Sequence, residues 1–120
     1  MSATTSRTPF DVAALRRASD PVAALEAALA DYVEWVEIDQ RTLPHSPSVT
    51  DGREAGIAGI HAAHARGLVS RVTDGFATED RAAMTVLCTY PTGEHVYCNA
   101  LADISDGKIV RWVGVQAWDE

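Results

Sequence analysis

The spacing of apolar residues changes character along this 120-residue chain. Up to Gly67 helix signals dominate; from Leu68 onward short alternating blocks are separated by turn residues. That order points to early helices laid against a later meander of strands. Thr8-Pro9 has the form of a helix cap followed by proline at the first helical position, and predicts a helix to about Ala18. Asp20-Pro21 repeats the device, with Val22, Leu25, Ala28 and Leu29 as the apolar stripe of a second helix ending near Asp31. Residues 32–39 are rich in β-branched and aromatic side chains and read as a strand. Trp35, Glu37 and Asp39 share one of its faces; Glu34, Val36 and Ile38 share the other. Residues 40–50, with Pro44 and Pro47, form a loop or an irregular hairpin. Asp51 and Glu54 have capping-box spacing for a third helix, which runs to about Arg66 and stops at Gly67. Strands follow near 68–77, 81–90, 94–105 and 108–118, with turns at 78–80, 91–93 and 105–107.

Charge and length narrow the function classes. Seventeen acidic against ten basic side chains give a net charge of −7, which argues against a nucleic-acid partner. No apolar run is long enough to cross a bilayer and no signal segment opens the sequence, so a cytoplasmic protein without a membrane partner is expected. The expected organisation is a flexible N-terminus over 1–8 and one domain over 9–120. Cys88 and Cys98 lack metal-ligand spacing, so no structural metal is expected and both thiols are expected to be free.

Three strings carry a resemblance. Residues 28–35 (Ala-Leu-Ala-Asp-Tyr-Val-Glu-Trp) resemble the helix-to-strand junction of nuclear transport factor 2-like proteins, the SnoaL-like superfamily. Residues 51–55 (Asp-Gly-Arg-Glu-Ala) resemble that family's third-helix start. Residues 106–112 (Asp-Gly-Lys-Ile-Val-Arg-Trp) resemble its last hairpin. The resemblance spans roughly 10–119. It implies an α+β cone in which a curved antiparallel sheet wraps three N-terminal helices around a pocket. It also implies a homodimer through the outer sheet surface. Members include ketosteroid isomerases, polyketide cyclases, epoxide hydrolases, dehydratases and domains that only bind or assemble, so function rests on the pocket residues.

The resemblance places Glu37 where isomerase-like members carry their carboxylate base, with Asp39 as a substitute one step along the same face. Other expected positions depart from the family. Ala13 stands near the place of an oxyanion tyrosine, Asn99 or Ala100 near that of a donor acid, and Gly114 at that of an epoxide hydrolase aspartate. The residues themselves add further candidates. Ile57, Ile60, His61, His64 and Leu68 follow helical spacing, so both histidines join an apolar stripe. Each either sits at the helix edge or bonds a backbone carbonyl, or enters the cavity as acid, base or donor; histidines at this spacing can also share a metal, but no third ligand has a spacing claim. Trp112, Gly114, Gln116 and Trp118 share a face of the last strand, and the tryptophans either stack on a flat ligand or pack in the core. His45 reads as an exposed loop histidine.

A two-residue turn at Thr92-Gly93 would place Cys88 opposite Tyr97, Val86 opposite Asn99 and Met84 opposite Leu101. The face carrying Tyr97 and Asn99 would then line the pocket. Val96, Cys98, Ala100 and Ala102 would form the outer face, with the two thiols on opposite sides. A one-residue slip would instead pair Cys88 with Cys98. The expectation is a cofactor-independent enzyme acting by proton transfer on an apolar or aromatic small molecule, of isomerase, cyclase or dehydratase class. Glu37, His61 and His64 would be catalytic; Trp35, Tyr97, Asn99, Trp112 and Gln116 would bind substrate. The alternative is a non-catalytic small-molecule-binding or dimeric assembly module.

Overall fold

A computed structural model describes residues 10–39, 42 and 45–118. Three helices, α1 (Val12–Arg17), α2 (Pro21–Ala28) and α3 (Arg53–Ala65), pack on one face of a six-stranded curved, open sheet. The strands are β1 (Leu29–Ile38), β2 (Ser48–Asp51), β3 (Val69–Ala77), β4 (Arg81–Thr89), β5 (His95–Ser105) and β6 (Lys108–Trp118). Their spatial order is β2-β1-β6-β5-β4-β3. All neighbours are antiparallel except β1 and β6, which run parallel. The fold is the α+β architecture expected, with one parallel pair between the second and third strands of the sheet. No helix among the described residues is long and apolar enough to cross a membrane.

The core lies between the helices and the concave sheet face. Phe10, Val12 and Leu15 from the N-terminal segment meet Leu29 and Val33 on β1 and Met84, Ala100, Ala102, Ile109 and Trp112 on the sheet. β5 shows the cause most plainly: Val96, Cys98, Ala100 and Ala102 are buried, and the residues between them are mostly exposed. Period-two alternation assigns one side of a strand to the core and the other to solvent.

Local chemistry sets the helix ends. The Asp20 side chain accepts from the Ala23 N–H at 3.1 Å, with Pro21 at the first helical position. α2 has no basic residue in its last turn. Its exposed carbonyls are met from elsewhere: Arg53 Nη2 donates to Glu26 O at 3.1 Å and Lys108 Nζ to Ala27 O at 2.6 Å. Cations at a helix C-terminus satisfy orphan carbonyls and oppose the negative end of the dipole. Strand pairing then claims the chain from Leu29, three residues before the point expected from sequence.

Two further expectations are corrected, and the choice between loop and hairpin after β1 is settled. The first helix is capped by Asp11, whose side chain accepts from the Ala14 N–H at 3.0 Å; Thr8-Pro9 lies outside the described residues, as does the 1–8 segment. Asp51 does not cap α3, because it is paired with Glu34 as the last residue of β2. Gly52, at φ 93°, makes the turn into the helix and donates its N–H to Val33 O at 2.8 Å. The region after β1 is a hairpin, since β2 pairs with β1 over Ser48 to Asp51.

The β4–β5 register differs by one residue from the expected one. Cys88 pairs with Val96, Val86 with Cys98 and Met84 with Ala100. The reason is a three-residue loop. Gly93, at φ 88°, donates its N–H to Tyr90 O, and the Tyr90 N–H bonds Glu94 O, so Pro91, Thr92 and Gly93 all sit in the turn. A proline-led turn closed by a left-handed glycine is the usual three-residue hairpin connection. One residue of slip moves the whole of β5 to its other face.

Candidate functional site

Between α2, α3 and the concave sheet lies a cavity of about 310 Å³. Its wall is mostly apolar, with Leu25, Ile60, Leu68, Val72 and Val86 among its residues. The side chains that interrupt it are Glu37, Trp35, Trp112, Gln116, Thr50, His64, Ser70, Cys88 and Cys98. No lysine or arginine is among the described lining residues.

β1 and β6 build one polar pole. Their parallel pairing sets Trp35 beside Trp112 and Glu37 beside Gly114. The two indoles stack with centroids 4.4 Å apart and planes within 4°. Trp35 Nε1 donates to Glu37 Oε1 at 2.7 Å, and Gln116 Nε2 donates to Glu37 Oε2 at 3.2 Å. Burial lifts the Glu37 carboxyl from 4.5 to about 7; the nearby Asp39 charge adds to the rise, and the hydrogen bonds oppose it. A buried charged carboxylate loses hydration that two neutral donors restore only in part. The Trp112 indole N–H is buried beside this carboxyl; it makes no hydrogen bond of good geometry there, yet as a nearby donor it too opposes the rise.

Gly114 makes the pole possible. A Cβ there would stand 2.8 Å from Glu37 Oε2, 2.9 Å from Trp112 Nε1 and 3.1 Å from Cys98 Sγ. The carboxyl occupies the space that any side chain at this position would fill. Gly114→Ala is therefore expected to displace Glu37 and to lower stability by about 1–3 kcal/mol, read from urea denaturation near pH 6.

α3, β3 and β4 build the second pole. His64 Nδ1 lies 2.8 Å from Ile60 O and Nε2 lies 3.0 Å from Ser70 Oγ; Ser70 Oγ lies 3.3 Å from Cys88 Sγ. Register pairs Ser70 with Cys88, which places both on the cavity side of the sheet. Burial pushes both thiols up: Ser70 tempers the rise at Cys88, and the charge of Glu37 adds to it at each. Protonated thiols of this kind are poor nucleophiles. Cys88 and Cys98 are free and share the cavity face, which corrects the expectation of opposite faces. Among the described residues no group of three His, Cys, Asp or Glu is arranged to hold a metal.

Of the eight site residues singled out from sequence, the structure brings Glu37, His64, Trp35, Trp112 and Gln116 to one cavity. Three lie elsewhere. Tyr97 and Asn99 are exposed on the outer sheet face, where Thr85 Oγ1 donates to Asn99 Oδ1 at 3.1 Å; the register slip put them there. His61 is exposed and reaches Glu26 on α2. His64 is about 40° round the helix from Ile60, whereas His61 is about 100° away. The cavity face of α3 carries Gly56, Gly59 and Ala63, small residues that leave space but give little hydrophobic signal. That is why the apolar stripe drew His61 in. Ser70 and Cys98 were missed as cavity residues, whereas Cys88 lies on the cavity face as expected. The phase of β3 was the signal available for Ser70, since it alternates with the buried Val72. His45 is exposed.

No protein-family model matches the chain, and no curated protein matches it. Solved structures do. An NTF2-like protein of unknown function from Mesorhizobium loti aligns at 24% identity and TM-score 0.62, over 81% of this chain and 78% of the other. The fold is that of the nuclear transport factor 2-like proteins. A provisionally named ketosteroid isomerase from Kribbella flavida aligns at 20% identity and TM-score 0.64, covering 90% of this chain and 71% of its own. A provisionally named SnoaL-like polyketide cyclase from Jannaschia sp. aligns at 14% identity and TM-score 0.63, over 94% and 91%. At these identities the likeness shows the nuclear transport factor 2-like fold, and chemistry is argued from the cavity.

Proposed function

We propose that this nuclear transport factor 2-like protein is a cofactor-independent proton-transfer enzyme acting on a flat, apolar carbonyl compound. Isomerisation, aldol-type cyclisation and dehydration share the step it would catalyse. The observation that carries the reading is the Glu37 carboxyl, lifted to about 7 at the wall of an apolar cavity, with the buried Trp112 N–H beside it. A base whose pKa lies near the working pH combines availability with strength. Glu37 would remove a proton from carbon next to the carbonyl, and the Trp112 N–H would bond the oxygen as negative charge develops there. The stacked indoles offer a flat apolar surface for the ring system. Gln116 and Trp35 hold the carboxyl in place through its two oxygens.

A second reading is a module of the same fold that binds or assembles without catalysis. It is favoured by His64, whose ring nitrogens are both engaged within the protein. Tyr97, Leu101 and Val115, exposed on the outer sheet face, favour its assembly form and a homodimer. The two readings separate in heavy water. The enzyme reading expects the protein to accelerate exchange of the α-protons of β-tetralone, followed by proton NMR, with a rate that rises through pH 7. Binding of the ketone with no acceleration at any pH would favour the second reading.

A further inference from the structure

The second polar pole has a direction, and it points to what a ligand must offer. An imidazole nitrogen facing a carbonyl oxygen has to be the donor, because the carbonyl has no proton to give. His64 Nδ1 therefore carries the proton and donates to Ile60 O. In the neutral ring Nε2 is then an acceptor. Ser70 must spend its single hydroxyl proton on Nε2. Ser70 Oγ keeps only lone pairs, one of which meets the weak Cys88 thiol donor. With the imidazole neutral, the helix carbonyl thus sets the direction of the chain, and Ser70 presents an acceptor at the cavity wall.

The first pole has the opposite character, since the buried Trp112 N–H, which makes no hydrogen bond of good geometry within the protein, presents a donor. We propose that Ser70, held by His64, is a specificity-determining residue that accepts a hydrogen bond from a hydroxyl of the ligand, while Trp112 donates to its carbonyl. The ligand class is an uncharged hydroxy-carbonyl compound. The absence of lysine and arginine from the described lining fits an uncharged ligand, because a carboxylate or phosphate would enter without a counter-charge. Ser70 belongs to recognition and makes no bond to the reacting carbon. The inference rests on reading this cavity as a small-molecule site, and it stands whether or not Glu37 moves a proton.

The test uses β-tetralone and its 6-hydroxy analogue, which differ by one phenolic hydroxyl, with affinities measured by titration calorimetry. The wild-type protein is expected to bind the hydroxy compound about five- to tenfold more tightly. Ser70→Ala should remove that preference and leave the affinity for β-tetralone within about twofold. No preference in the wild type, or a preference that survives Ser70→Ala, overturns the proposal while β-tetralone binding keeps the small-molecule reading intact. Binding of neither compound at millimolar concentration overturns both. A second measurement needs no variant. Long-range nitrogen–proton NMR of the wild-type protein should show His64 with its proton on Nδ1; a proton on Nε2 would reverse the chain and end the proposal.

Discussion

Glu37→Gln is expected to slow α-proton exchange on β-tetralone by about 10²- to 10⁴-fold. The substitution keeps the shape of the side chain and its ability to accept from Trp35 at the position of Oε1. It removes the group that takes the proton. Affinity for the ketone should change little, because the apolar wall and the stacked indoles remain. The wild-type rate should climb with pH and level off above about 7, as Glu37 becomes the carboxylate. The residual rate of the variant should lack that inflection. An unchanged rate in Glu37→Gln would remove Glu37 from the mechanism.

The same carboxyl makes a second, substrate-free prediction. Its ordinary value is 4.5 and its value in the folded protein is about 7. Below pH 4.5 it is protonated in both folded and unfolded chains and adds no pH dependence. Between 4.5 and 7 the unfolded chain releases the proton while the folded chain keeps it. The folded state binds more protons there, so the unfolding free energy falls as pH rises. Above about 7 the loss is complete and amounts to roughly 3 kcal/mol. Urea denaturation of wild type and Glu37→Gln across pH 4.5 to 8 should show the difference between them growing by that amount in favour of the glutamine variant. A difference that stays flat with pH would mean that the carboxyl is not held in a desolvated site.

Much of the fold was legible because its signals are local. The Asp20-Pro21 cap, the stop at Gly67 and the alternation in the last four strands each depend on residues within a few positions of one another. Asp51 shows the limit of such signals. Its spacing to Glu54 suits a cap, but pairing with Glu34 on β1 claims its backbone first. Half of the site was legible for a similar reason. Trp35 and Glu37 share a face by strand phase alone, as do Trp112, Gly114 and Gln116. What was not legible was that β1 and β6 are parallel neighbours. Only that pairing puts the empty side of Gly114 next to the Glu37 carboxyl. The resemblance had marked Gly114 as a position where an acid was missing. The structure shows a carboxyl in that space, delivered from β1.

The sequence by itself determined the element order, the inward face of the first and last strands and the identity of Glu37 as a buried-acid candidate. The first two follow from periodicity and caps, which act over a turn of helix or a few strand residues, and the choice of Glu37 follows from the family resemblance. The tertiary structure alone decided which polar groups meet. A third residue in the Pro91–Thr92–Gly93 turn sent Tyr97 and Asn99 outward and brought Cys98 in. The rotation of α3 chose His64 over His61 and set it against Ser70. Register and helix rotation are fixed by the sum of many weak packing contacts spread across the chain, so no short stretch of sequence records them.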